Sequence, residues 1–515
     1  MAQPFHKLLA TSLRNAKKKA KHQIIKTEQL SRLDRERLIR AGYLQKIIRG
    51  WYLFCKPGTD PGENTPWYAS FWDFIRLYLT ERFDEDYCLS PEASIDLYLG
   101  KNYLPPQIVV MAKSGGTISL QLPHNTSLLI YQEKKNFPKE INKAQEINVL
   151  HLEYAICKMA ASFYQQQPQE AEIAIRMLKS PEKILRILLK EGMAGQAGRI
   201  IGALRHLNKN SFADTILKAM TAAGFAIIEN NPFQEKPLLA NTSILKSPYS
   251  ARIKTSWEKT RTEIIKIFPQ PVKSAKERKI LLENVDNIYI QDAYHSLSIE
   301  GYQVSEELIE KIASGSWQPE ENEEDHQQKN AMAAKGYYEA FKAVKNTINK
   351  MIKSNSPIEI LHDDFSNWYL ALFSPAVTAG IISAEHLAGF RDQAVYIRNA
   401  MHIPPPFSAV RDCMETLFEC LKEEEHPAVK AVLTHWLIGF IHPYVDGNGR
   451  MARFAMNALL VSGGYPWTII HLENRKAYLD ALEKASINGN IHDFCKLILK
   501  EMNFNKSASV FLGED

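Results

Sequence analysis

The 515-residue sequence has few cysteines: six, at positions 55, 88, 157, 413, 420 and 495, none in a C-x-x-C pair. That spacing argues against a disulfide framework or a zinc ribbon and for free thiols in a reducing cytoplasm. Cys413 and Cys420 lie seven apart in a helical pattern and share a face, which suits two small core residues. No apolar run approaches the roughly 18–20 residues of a membrane span. The opening MAQPFHKLLATSLRNAKKKAK places its charges after a short apolar patch, so it does not read as a secretory signal. Charge of one sign does not dominate: the formal net charge is +5, with 45% hydrophobic and 23% charged residues. Ordinary values like these fit two to four globular domains.

The charge is unevenly placed. Residues 1–50 hold 13 Lys/Arg against 3 Asp/Glu, a net of +10, which leaves about −5 for the rest. A basic head on a mildly acidic body predicts an anionic partner for the head, such as DNA. The head reads as a helix over 5–21 and a short helix over 27–33 capped by Thr27. A second helix comes next over 34–44, capped by Asp34 with Gly42 near its end, and then a hairpin around Arg49-Gly50. That order predicts a winged helix-turn-helix with Arg35, Arg37 and Arg40 on the reading helix and Lys46 and Arg49 on the wing. A solvated basic face on a protein-docking domain is the competing reading. The string RLIRAGYLQKIIRGWYLF resembles the N-terminal domain of AbiEi-type antitoxin regulators over about fifty residues.

Residues 58–230 mix strand patterns (PQIVVMAKSG, TISLQLP) with amphipathic helices (EKILRILLKEG, GRIIGALRHL, FADTILKAMTAAG) and show no catalytic constellation. In AbiEi-like proteins a similar region comes after the winged helix. Residues 231–250, rich in Pro, Asn and Ser, read as a linker. From 251 onward the chain is mostly helical, with the acidic stretch 319–330 as a solvated loop or helix start. The fold class is therefore mainly α: a C-terminal helical bundle over 251–505, preceded by an α+β region that begins with the basic domain 1–57.

Residues 442–453 read HPYVDGNGRMAR. Gly447-Asn448-Gly449 can present consecutive N–H groups as an anion nest at the start of the next helix. Arg450 and Arg453 lie three apart on that helix, and their planar forks suit one phosphate chain. Asp446 adds a hard oxygen for Mg²⁺. His442 can take a proton near neutral pH. His435, upstream on an apolar helix, reads as structural. The parts describe a nucleotide clamp with a base.

The twelve residues resemble the signature of the Fic family, H-P-F-x-D/E-G-N-G-R with an arginine three positions on. Tyr444 stands where Phe is usual and keeps the aromatic ring. AGFRDQAVYIRNAMHIPPP (388–406) resembles the Fic flap, a β-hairpin whose strand matches Val395, Tyr396, Ile397 and Arg398 and which pairs with a target backbone. Tyr478 and Ser486 match the adenine-contacting region, Ser486 replacing the commoner Asn. The resemblance implies transfer of AMP from ATP to a Tyr, Thr or Ser hydroxyl of a target protein and of the chain itself. It assigns His442 as base and Asp446 as Mg²⁺ ligand. Gly447, Asn448 and Gly449 cradle the α-phosphate, and Arg450 and Arg453 bind the β/γ-phosphates. Gly449 argues against the related Doc kinases, which carry Lys there.

DAYHSLSIEGY (292–302) reads as a helix ending at Gly301. A glutamate at a helix C-terminus faces the wrong end of the dipole and needs a cation. Ser296 to Gly301 matches the Fic inhibitory pattern S/T-x-x-x-E-G/N, on a helix over about 288–301. The resemblance implies that Glu300 pairs with Arg453 and blocks productive ATP binding. In some family members that glutamate serves removal of AMP, and such brakes are often coupled to homodimers. A DNA-binding regulator or antitoxin-like protein that uses the domain only to sense nucleotide is the competing function. It would not need His442.

Overall fold

A computed structural model describes residues 5–58, 63–239, 247–317 and 325–511. Part of the expected linker (240–246) and of the acidic stretch (319–324) lies outside the described residues. No helix among the described residues is long and apolar enough to cross a membrane. The chain packs as two units, one comprising 1–248 with 396–403, the other 249–395 with 404–515.

The first unit opens with α1 (Phe5–Lys19), β1 (Ile24–Lys26), α2 (Arg32–Arg40), β2 (Leu44–Ile48) and β3 (Trp51–Phe54). The strands form an antiparallel sheet in the order β1-β3-β2. The hairpin turns at Arg49-Gly50, as the sequence predicts. The helix expected over 27–33 is only a 3-10 turn, Thr27–Gln29. Ser31, not Asp34, caps α2, accepting from the Asp34 N–H. Asp34 instead accepts from the Ser12 and Ser31 hydroxyls, bonds that hold its carboxyl below the usual range. Arg37 donates to Ser12 and Asp34, which ties α2 to α1.

One face of this sheet closes a small core of Ala16, Ile25, Leu38, Leu44 and Phe54. The other face packs Ile24, Ile47, Trp51 and Leu53 against Trp67, Phe71 and Phe74 of α3 (Thr65–Phe83). Alternating burial therefore joins the head to α3. A second sheet runs β4 (Tyr87–Leu89), β5 (Gln107–Ala112), β7 (Ser127–Gln132), β6 (Ile118–Gln121), with β5 and β7 parallel. The three amphipathic patterns after it are helices Pro181–Glu191, Ala194–His206 and Asn210–Ala222.

The second unit is helical. Its long pair, Asp325–Lys353 and Pro357–Thr378, packs beside two central helices. These are Pro427–Ile441 and Asn448–Gly463, called the base helix and the phosphate helix after the roles the resemblance implies. Both are apolar on nearly every side and almost wholly buried, as core helices must be. Cys413 and Cys420 are buried on Phe407–Glu423, and all six cysteines are free.

Candidate active site

The loop between the base and phosphate helices is where their regular backbone stops. The base helix ends because His442 takes φ +52° while its N–H still bonds the Ile438 carbonyl. The phosphate helix starts after Gly447 at φ +80°. A Cβ at Gly447 would lie 2.8 Å from the Phe373 ring, so glycine is needed there for both conformation and space.

Inside the loop Asn448 is a brace. Its Oδ1 accepts from the Tyr444 N–H (2.9 Å) and its Nδ2 donates to the Tyr444 carbonyl (2.8 Å). The buried Tyr444 ring stacks on Tyr369 with centroids 3.9 Å apart. Asp446 Oδ1 accepts from the Gly447 N–H at 2.6 Å. The N–H groups left for an anion are those of the first turn of the phosphate helix, from Asn448 onward, where helix geometry leaves them without intrahelical partners.

His442 Nδ1 lies 3.3 Å from the Gly439 carbonyl. A donor bond there places the proton on Nδ1 and leaves Nε2 as the basic nitrogen. Burial lowers the His442 pKa, with Arg391 adding to it, while the Gly439 carbonyl and Glu300 oppose. The ring is therefore neutral near pH 7.

Arg391 carries no motif in the sequence, yet it organises the loop. Its Nε donates to the His442 carbonyl (2.8 Å), Nη1 to the Gln393 carbonyl (2.9 Å) and Nη2 to the Pro405 carbonyl, and its own N–H bonds Pro443. It is 4% exposed, and burial pulls its pKa down to about 10.

The two phosphate arginines differ. Arg453 is saturated on one side. Nε donates to Ser296 Oγ (2.8 Å), and Nη2 to the Ser296 carbonyl (3.1 Å) and Glu300 Oε1 (2.8 Å). Arg450 Nη2 lies 3.5 Å from Asp446 Oδ1. Arg450 Nε and Nη2 and Arg453 Nη1 are buried with no hydrogen-bond partner. Buried, unpaired guanidinium N–H groups are costly and call for an anion.

Glu300 is the C-cap of Tyr289–Ile299, called the brake helix after the role the resemblance implies, and Gly301 comes next at φ +88°. Burial raises the Glu300 pKa, but Arg453 and then Arg450 outweigh it and hold the carboxyl below its usual value. A Cβ at Gly449 would come 2.1 Å from Glu300 Oε1, so a side chain there, lysine included, would collide with Glu300 in this position. The brake helix is anchored further by Asp292, which accepts from Tyr337 and Trp467.

The other expected site residues have these surroundings. Residues 391–406 form no hairpin. Asn399 at φ +59° and the run Pro404-Pro405-Pro406 break any ladder. Residues 396–403 belong to the first unit. There Tyr396 and Ile403 pack on its core, Arg398 pairs with Glu63 (2.7 Å), Asn64 donates to the Ala400 carbonyl (2.8 Å) and His402 bridges Tyr103. Val395 stays in the second unit. Tyr478 is buried with its hydroxyl 2.8 Å from His435 Nε2. Ser486 Oγ accepts from Trp436 (3.1 Å). His435 is structural as expected, its pKa pushed down to about 3 by burial. In the head, Lys46, Arg49 and Arg40 lie toward solvent, Arg35 is half-buried, and Arg37 is used internally.

The bundle thus gathers a histidine whose pKa burial lowers, a glycine-rich loop and two buried arginines on the helix that comes next. Residues 369–460 match the Fic/DOC family, and the chain carries a Fic domain. Among curated proteins it is similar to one named protein adenylyltransferase Fic from Nematostella vectensis. The match is 28% identical over 242 residues, covering 46% of this chain and 51% of that one. A protein of the same name from Culex quinquefasciatus is 30% identical over 215 residues, covering 41% and 39%. The chain thus spans about half the length of the curated relatives it matches, or less. Among solved structures, Fic-1 from C. elegans (17% identical, TM-score 0.38) aligns with 68% of this chain and 98% of its own.

Proposed function

We propose that the protein is a protein adenylyltransferase with a built-in brake. The observation that carries this reading is the pairing of Glu300 with Arg453 beside a His442 whose pKa burial lowers and the buried, unpartnered Nε of Arg450. His442 Nε2 takes the proton from a target hydroxyl, and that oxygen attacks the α-phosphorus of ATP. The bond from the α-phosphorus to the bridging oxygen breaks, AMP is joined to the target, and pyrophosphate leaves. The first turn of the phosphate helix and both arginines bind the phosphates and offset the developing charge.

Among the described residues no cluster of three or more His, Cys, Asp or Glu could hold a metal by itself. The half-exposed Asp446 carboxylate suits Mg²⁺, which takes one or two protein carboxylates and completes its shell with phosphates and water. Bound there, Mg²⁺ would neutralise phosphate charge.

With Arg453 held by Glu300, the γ-phosphate site is incomplete, so the resting chain transfers AMP slowly. Glu300→Gly raises incorporation of label from α-labelled ATP, and His442→Ala abolishes it. Unchanged labelling in Glu300→Gly removes the brake, and full labelling in His442→Ala removes the base. For the head, the outward-facing Arg40, Lys46 and Arg49 support an anionic partner. A salt-dependent mobility shift with duplex DNA supports DNA as that partner, and no shift at low salt assigns the head to protein docking.

A further inference from the structure

The brake helix ends in a turn that carries more than Glu300. The Tyr302 N–H bonds the Leu297 carbonyl and the Gly301 N–H bonds Ser298, a Schellman-type closure made by Gly301 at positive φ. Glu300 and Tyr302 therefore belong to one short, hydrogen-bonded piece of backbone. Glu300 reaches Arg453, while Tyr302 reaches the other arginine. The Arg450 guanidinium carbon lies over the Tyr302 ring, 5.1 Å from its centroid, and over the Phe373 ring at the same distance. Arg450 is 1% exposed, so these ring contacts are largely desolvated and strong for their kind. They engage the face of the guanidinium. At its edge Nε has no hydrogen-bond partner, and Nη2 has the Asp446 carboxylate at 3.5 Å.

We infer that Tyr302 is a positioning residue for the nucleotide, holding Arg450 with its Nε side open to phosphate oxygens. The inference rests on the nucleotide-transfer reading above. One helix cap then makes two contacts of opposite sense: Glu300 withholds Arg453 from ATP, and Tyr302 prepares Arg450 for it. A fixed fork loses less freedom on binding than a mobile one. Removing the ring therefore weakens ATP binding and leaves the base and the acceptor hydroxyl untouched.

The test uses the full chain carrying Glu300→Gly, with calorimetric titration of ATP beside steady-state labelling. Adding Tyr302→Leu, or Tyr302→Met should the leucine variant not fold, raises the ATP Kd roughly 3- to 30-fold, the span of a desolvated cation–π contact. KM moves with it and kcat falls less. Tyr302→Phe, which keeps the ring, restores affinity relative to Tyr302→Leu. Equal Kd values in the Glu300→Gly parent and the Tyr302→Leu or Tyr302→Met chain overturn the inference. So does equal weakening by Phe and Leu, which would assign the effect to the hydroxyl. A folded Glu300→Gly parent that binds no ATP overturns the transfer reading itself, and is recognised before any Tyr302 variant is compared.

Discussion

Gly447 satisfies two constraints at once: left-handed backbone at φ +80° and close approach of the Phe373 ring. A Cβ there meets both. Gly447→Ala is expected to lower stability by about 1–3 kcal/mol from backbone strain alone, seen as a lower urea midpoint with an unchanged slope. Arg391 is a second residue whose loss is local. Its guanidinium spans the carbonyls of His442, Gln393 and Pro405, a geometry lysine cannot reproduce. Arg391→Lys is expected to keep the fold and to reduce AMP transfer by about 10²-fold through displacement of His442, read by labelling in the Glu300→Gly background. The motif arginines and His442 were legible in the sequence because their chemistry sits in twelve consecutive positions. Arg391 was not, because nothing local marks an arginine whose partners include His442, 51 residues away.

The helix Tyr289–Ile299 is the element on which the proposed control depends. Besides Glu300 it is held by His295, whose Nδ1 accepts from the Leu472 N–H (3.1 Å), and by Arg475 donating to the Ile299 carbonyl. The His295 ring lies 4.7 Å from that of His471, which pairs with Glu501. Burial lowers the His295 pKa and His471 lowers it further, while Glu473, Glu501 and Glu306 oppose. A histidine whose folded pKa lies below its unfolded value of about 6.5 favours folding fully above that value. The contribution is lost as pH falls below it. Protonation would also remove the acceptor for Leu472. Amide exchange over 289–299 is therefore expected to quicken as pH falls below about 6.5, after correction for intrinsic rates. His295→Asn should show a smaller change. The pattern S-L-S-I-E-G announced this helix and its end, whereas its docking onto residues 472–475 was invisible until the chain folded.

At the scale of the whole molecule, the segment 396–403 leaves the Fic sequence and packs with the first unit. Family resemblance leads one to expect a hairpin there. Glycine and proline punctuation alone could not show that Glu63, Asn64 and Asn102 would take up its polar groups. Losing a buried hydrogen bond and an ion pair costs about 1–3 kcal/mol. The full chain with Glu63→Ala and Asn64→Ala is accordingly expected to be cut by trypsin at Arg398 roughly ten times faster, with other sites unchanged. The head shows the same division. Its basic charge and hairpin could be read directly, but Arg37 proved to be an internal tie between α1 and α2. The sequence by itself determined the stretch 442–453 and the helix end at Ser296–Gly301, because each is a short contiguous pattern whose spacing on a helix or turn fixes its geometry. Only the tertiary structure decided which rings lie under Arg450 and what receives residues 396–403. Those contacts join residues far apart in the chain, and packing rather than local backbone preference selects them.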